Sequence, residues 1–305
     1  ILDQKGNIIL GPYKKEDAFK NKLSTAPVKE KSIVVRYKIL DESEGVGRLS
    51  IASIAQGYRD IFSKAKSFTK KDFGSAGACN NNVACTEANP WKDQVNSVGL
   101  IILSSGARWC SGCMVGNTRR DSTPYFLTAY HCIDKNDDGT ITASELSDIS
   151  TWTFHFNYNS PDCTPSVDGD LTQSVSGSSL IASYWDSDMA LLELSSTPPD
   201  SYKVYYAGWN RENIAANNGF GIHHPLGDVK KISFENEAII QSPLFDGNDR
   251  WRVPNWDDGV TEKGSSGSPL FNGVGLVVGQ LYGGLATCSN LSDANENNDL
   301  DEYGK

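Results

Sequence analysis

Three polar side chains, far apart in the chain, have the types and the order of an acyl-transfer site. Ser266 sits in GSSGSPL, residues 264–270, a small-residue loop that suits an exposed nucleophile. His131 lies in TAYHC, residues 128–132, and Asp188 in SDMALLEL, residues 187–194. His, then Asp, then Ser is one known chain order of the serine triad. In such a site His131 takes the hydroxyl proton of Ser266, Asp188 holds the imidazole, and the N–H groups of Gly264 and Ser266 face the developing oxyanion. Asp186 is the rival to Asp188, which is preferred because the apolar run starts directly after it.

A second motif begins three residues after His131. Asp134, Asn136, Asp138 and Glu145 occupy positions one, three, five and twelve of an EF-hand calcium loop, with Thr140 at seven, Gly139 at six and Ile141 at eight. The loop predicts a structural Ca²⁺ site, although no long helix enters it; the alternative is a solvated acidic insertion. The other histidines suggest less. His155 fits an alternating strand, and His223-His224 lacks a nearby carboxylate or cysteine, which favours a structural role over metal. The seven cysteines all follow residue 73, without zinc-finger spacing. Cys110 and Cys113 form a lone C-x-x-C without a thioredoxin-like context.

The elements that must position these groups are strands. Runs at 97–103, 110–115, 125–129, 151–157, 190–194, 203–207, 220–223, 273–279 and 280–282 are short, apolar and separated by Gly, Ser, Asn and Asp. No helical period is sustained, so an all-β barrel or sandwich is expected. Residues 1–73 differ. Stretches 32–40 and 48–54 read as strands, 56–71 as basic and partly helical, and no motif there carries chemistry. This leader holds 15 Lys+Arg against 9 Asp+Glu, whereas residues 74–305 hold 13 against 29. An acidic body argues against nucleic acid as its partner. No apolar run is long enough to cross a bilayer. The chain begins at Ile1 without a signal segment and reads as an excerpt of a precursor.

Taken together, these motifs resemble the bacterial lysyl endopeptidases, a family of chymotrypsin-fold serine proteases. The likeness runs from about Gly74 to Lys305. It rests on GSAGAC at 74–79, YFLTAYHC at 125–132, SDMALLEL at 187–194, AGW at 207–209, IHHP at 222–225, GVTEKGSSGSP at 259–269, GQLYGG at 279–284 and DEYG at 301–304. The resemblance implies a two-barrel domain over 74–305, here without a last strand and C-terminal helix, preceded over 1–73 by a mainly β propeptide remnant, the alternative for 1–73 being an N-terminal β segment that stays attached. It implies disulfides Cys79–Cys288, Cys85–Cys163 and Cys110–Cys132, with Cys113 left as a buried thiol, and hence an oxidising, extracellular setting. Asp301 is implied at the base of the pocket for a substrate lysine, with Thr261 and Tyr282 also binding substrate. Tyr282 stands where the family carries histidine, and the Asn/Asp-rich spacing after Cys288 is longer than the family's. The implied activity is secreted cleavage of peptide bonds after lysine, by a monomer that needs no cofactor for the chemistry. Its partners are protein or peptide substrates and its own propeptide, with self-cleavage expected after Lys71. Two rivals stand beside it: a silent protease-like binding module, and a same-fold protease with another P1 preference.

Overall fold

The computed structural model describes residues 1–305 except 19–21, 29, 40–47, 53, 55–72, 242–249 and 289–299. Short strands dominate. In chain order they are β1 (Asn81–Asn82), β2 (Val98–Ile102), β3 (Arg108–Met114), β4 (Tyr125–Ala129), β5 (Thr153–Phe156), β6 (Ser174–Ser176), β7 (Ser178–Tyr184), β8 (Met189–Leu194), β9 (Gly219–His223), β10 (Lys231–Glu235), β11 (Ile240–Gln241), β12 (Trp251–Val253), β13 (Pro269–Asn272), β14 (Val277–Gly284) and β15 (Asp301–Gly304). Helices α1 (Lys92–Ser97) and α2 (Ala143–Ile149) are each two turns or less.

The strands form two curled sheets, antiparallel throughout. The first runs β6-β5-β2-β3-β4-β8-β7 and the second β1-β10-β9-β13-β14-β15-β12-β11. Period-two patterning sets the first core: in β8, Ala190, Leu192 and Leu194 point inward against Phe126, Phe154 and Phe156 of neighbouring strands. The second sheet closes over Trp251, Val253, Trp256, Leu270 and Tyr303. A third cluster, including Val98, Cys113, Val115, Phe220, Ile222 and Phe271, lies between the sheets and is fed by both. Strand β2 serves three clusters at once, through Val98, Leu100 and Ile101, so every residue in it is buried. Single bridges Val115–Ala207 and Trp209–Val277 stitch the crossing chain to each sheet. The arrangement is the all-β, two-sheet fold expected of a chymotrypsin-like protease.

All three implied disulfides are present, and Cys113 is free and buried. Cys110–Cys132 ties β3 to the turn carrying His131. Some expected strands are absent. Residues 203–207 contribute only the bridge at Ala207, since Lys203 takes a left-handed backbone after a 3-10 turn. Residues 273–276 form the β13–β14 hairpin turn instead of a strand, because the Asn272 side-chain oxygen accepts the N–H groups of Val274 and Leu276. In the leader, described residues 32–39 hold one bridge, Val34 to Leu2, and no strand is assigned among the described residues of 48–54. Ile33, Val34, Val35 and Tyr37 are all exposed. A strand without a sheet to bury its apolar face gains little from its pattern. The expected partial helix at 56–71 and the Lys71 cleavage point lie outside the described residues.

Candidate active site

His131 follows β4 and Asp188 precedes β8, and these two strands pair in register, Thr128 with Ala190 and Ala129 with Met189. The sheet therefore brings together residues 57 positions apart. Asp188 holds His131 at two points: its Oδ1 accepts the backbone N–H at 2.8 Å and its Oδ2 lies 2.8 Å from Nδ1. A carboxylate only accepts, so Nδ1 carries the proton and Nε2 is left as the basic nitrogen. Asp188 is 2% exposed and the His131 side chain 27%, so the acid is shielded while the base reaches solvent. Asp188 also takes φ +55°, a left-handed conformation fixed by Tyr130 N–H to its carbonyl and its own N–H to Trp185. The rival Asp186 is exposed, and its carboxylate accepts the Tyr184 hydroxyl and not the His131 ring.

The Ser266 loop is pinned from the other sheet. Ser111 N–H donates to the Ser266 carbonyl at 2.9 Å, and Ser111 Oγ donates to the Gly264 carbonyl at 2.9 Å. Gly267, next to Ser266, has φ +78°, and a Cβ there would collide with Thr128 Oγ1 and crowd Ala129 N. That contact puts the serine's neighbour against the strand end that leads into His131. Gly264 has φ +97° and lies on the 224–227 turn, where a side chain would meet Leu226 and Gly227. Ser265, Gly267 and Ser268 donate their N–H groups to Glu262, Leu281 and Ser265. Among the described residues, the N–H groups of Gly264 and Ser266 find no protein acceptor. Two such donors flanking a serine can bind a developing oxyanion.

Ser265 is buried, and its Oγ lies 2.8 Å from His223 Nδ1, while His223 Nε2 lies 3.1 Å from Ser233 Oγ. Burial pushes His223 down to about 3 and holds His224 well below the ordinary range. Both rings are neutral hydrogen-bonding struts under the loop. His155 is likewise a core strand residue, bonded to Leu171 and Thr153.

On the far side of the loop, Asp301 of β15 is 1% exposed. Its Oδ2 accepts Trp256 Nε1 and Thr261 Oγ1, both at 2.7 Å. Opposite it in the β14–β15 ladder is Gly284, where a Cβ would collide with Asp301 Oδ1. The structure thus joins Asp301 to Thr261. Tyr282 stands elsewhere in the group, edge-on to the His131 ring at 6.2 Å between centroids, with the Arg250 guanidinium 3.8 Å from its own ring centre. The Asn/Asp-rich approach to Asp301 falls outside the described residues.

The calcium-type loop has the expected turn. Asp134 Oδ2 accepts the Gly139 N–H at 2.8 Å, and α2 begins directly after Thr142, so an exiting helix is present. Glu145 is the third residue of that helix, and Thr142 and Glu145 cap each other reciprocally. Asn136 Nδ2 donates to Asp138 Oδ2, and the Asp138 Oδ1 accepts the Thr140 N–H. Asp134, Asp138 and Glu145 do not bring their oxygens within 4.8 Å of one another. The donor set is all oxygen and fits a hard cation, and Glu145 would have to exchange its cap bonds to join it.

Several positioning residues carry no sequence signal. Ser111 is one. Gln280 is another, its Nε2 donating to the Ser187 carbonyl at 2.7 Å beside Asp188. Asp228 is a third: its carboxylate takes the N–H groups of Gly74 and Ala76 at 2.9 and 3.0 Å, and Glu262 takes that of Gly77 at 2.8 Å. The start of the protease-like region is thereby fastened to both segments that support Gly264.

The family described as "Lysyl endopeptidase, C-terminal domain" matches residues 73–304. A lysyl endopeptidase of Pseudomonas aeruginosa is 28% identical over 256 residues, covering 79% of this chain and 52% of that protein. The chain therefore spans about half the length of this relative. Among solved structures, the protease Anisep from Arthrobacter nicotinovorans is 15% identical, with TM-score 0.48, over 73% of this chain and 92% of its own. The thermostable serine protease AL20 from an extremophilic microorganism is 13% identical, with TM-score 0.47, over 69% and 91%. A match that takes in the His131, Asp188 and Ser266 segments and runs almost to Lys305 means that this chain belongs to the lysyl endopeptidase C-terminal domain family.

Proposed function

We propose that the chain is a secreted serine endopeptidase that hydrolyses peptide bonds after lysine. The observation that carries the reading is the two-point hold of Asp188 on His131, beside a loop whose Gly264 and Ser266 N–H groups have no protein acceptor. Ser266 Oγ attacks the carbonyl carbon of the scissile bond as His131 Nε2 takes its proton. The oxyanion rests on the two N–H groups, and the C–N bond breaks as His131 protonates the leaving amine. Water then attacks the acyl-enzyme by the same route in reverse. Asp301 supplies the carboxylate for the substrate ammonium, with Thr261 orienting it and Tyr282 bounding the approach to His131.

Three disulfides support an oxidising, extracellular setting. Ca²⁺ in the Asp134–Glu145 loop is structural, and no cofactor enters the chemistry. The working form is a monomer freed from its own leader by cleavage after Lys71.

The test is a fluorophosphonate probe followed by a panel of peptides differing only at P1. The expected outcome is an adduct on Ser266, absent in Ser266→Ala, with Lys cleaved best. A folded, processed preparation that takes no label and cleaves no peptide would leave a binding module instead. Labelling without a Lys preference would keep the protease and discard the specificity.

A further inference from the structure

Three carboxylates, unrelated to the calcium-type loop, meet at the end of β10 in the C-terminal sheet. Glu235 ends β10, Glu237 follows two residues later, and Asp257 comes from the segment after β12. One oxygen from each of these carboxylates lies within 4.8 Å of the others. Backbone contacts bring them together: Asp257 N–H donates to the Phe234 carbonyl at 3.0 Å, Asn236 N–H to Asp257 Oδ2 at 2.6 Å, and Glu237 N–H to Glu235 Oε1 at 2.9 Å. Glu235 is only 2% exposed, and its other oxygen, Oε2, is buried without a hydrogen-bond partner. No described lysine or arginine forms an ion pair with any of the three.

Three carboxylates this close repel one another, and a buried carboxylate oxygen without a donor is costly. A bound cation removes both penalties at once. The donors are all hard oxygens and include no thiolate or imidazole, which selects Ca²⁺ over zinc or copper. Glu237 and Asp257 are exposed, so the site opens to solvent on one side and leaves room for water ligands.

We propose that Glu235, Glu237 and Asp257 form a Ca²⁺ site that fastens the end of β10 to the segment after β12. The fastened segment matters to the neighbourhood of Asp301. Trp256, adjacent to Asp257, and Thr261, four residues on, both donate side-chain hydrogen bonds to it.

The test measures bound Ca²⁺ by equilibrium dialysis and Ca²⁺-dependent melting, in the full chain carrying Ser266→Ala against autolysis and Glu145→Gln to disable the other loop. One Ca²⁺ should still bind. At a hundredfold excess over Kd the melting temperature should rise by roughly 5–10 °C. Adding Glu237→Gln should weaken binding at least about tenfold, since affinity follows ligand charge, and Asp257→Asn should do the same. If Asp257→Asn disturbs its turn, the exposed Glu237→Gln decides alone. Absence of Ca²⁺ binding in the Glu145→Gln chain overturns the proposal, as does binding that Glu237→Gln leaves unchanged. None of these readings depends on proteolytic activity.

Discussion

Asp301 is buried and accepts hydrogen bonds from Trp256 and Thr261, and the function proposed above gives it the lysine ammonium of the substrate. Those bonds fix the direction in which the carboxylate points. Asp301→Asn keeps the shape and removes the charge. It should lower kcat/KM on lysine substrates by about 3–5 kcal/mol, roughly two to four decades, while labelling of Ser266 by a small phosphonate survives. A variant within a few-fold of wild type would remove Asp301 from specificity. At this scale, legibility followed chemistry. His131, Asp188 and Ser266 are conspicuous because few residue types do their work and their order is restrictive. Ser111 and Gln280 are as closely involved in the geometry, but a serine in a strand and a glutamine in another have no tell-tale spacing. Cys113 is a third case. It is fully buried, and burial pushes its thiol far above the ordinary range, so native protein should resist alkylation. The unfolded, unreduced chain should label at Cys113 alone; a label on Cys110 or Cys132 would break the proposed clamp on the His131 turn.

At the scale of elements, the interior strands were readable and the margins were not. β2, β4 and β8 are apolar and buried, so pattern and environment agree. β15 is Asp-Glu-Tyr-Gly and wholly buried, a sequence whose composition alone says loop. β7 is read the opposite way: four of its seven residues are exposed, and polar serines blur its alternation. The stretch 203–207 shows the converse error, an apolar run diverted by one left-handed lysine. α2 was implicit in the calcium-type loop, whose twelfth residue belongs at the start of a helix. Its Thr142–Glu145 capping box gives a discriminating prediction. If Ca²⁺ takes Glu145 from the cap, the melting temperature should rise with Ca²⁺, and Glu145→Gln should abolish the share of the rise due to this loop. Without metal, Glu145→Gln should cost at most about 1 kcal/mol, the ordinary worth of a cap. Equal melting of wild type and variant at every Ca²⁺ concentration would rule the loop out as a site.

For the whole molecule, the dominant pH dependence comes from histidines that never reach water. Of the four in the chain, His155, His223 and His224 are fully buried. Burial lowers His155 to about 4 and His223 to about 3, and holds His224 well below its ordinary value. The unfolded chain titrates near 6.5 at each, so between that pH and the folded values it binds more protons than the native state. Stability is therefore fully present above about pH 7 and is lost as pH falls toward 3. Each histidine contributes a slope of about 1 kcal/mol per pH unit in that window, or about 3–4 together. Two carboxyls oppose them. Glu235 is raised to about 8 by burial, and Asp228 is raised too, mainly by burial. A raised carboxyl contributes stability below its unfolded value and loses it as pH climbs through the folded one. The opposition leaves a net slope of about 2 kcal/mol per pH unit between pH 6.5 and 5. Urea denaturation of Ser266→Ala at pH 5, 6 and 7, in EGTA, measures it. Since His155 lies away from the candidate active site, His155→Gln should remove about one third of the histidine contribution to the slope without altering the active-site loop. A stability that stays level from pH 7 to 5 in EGTA would mean that folded and unfolded chains bind equal numbers of protons there, and would refute the excess of the histidine share over the carboxyl share.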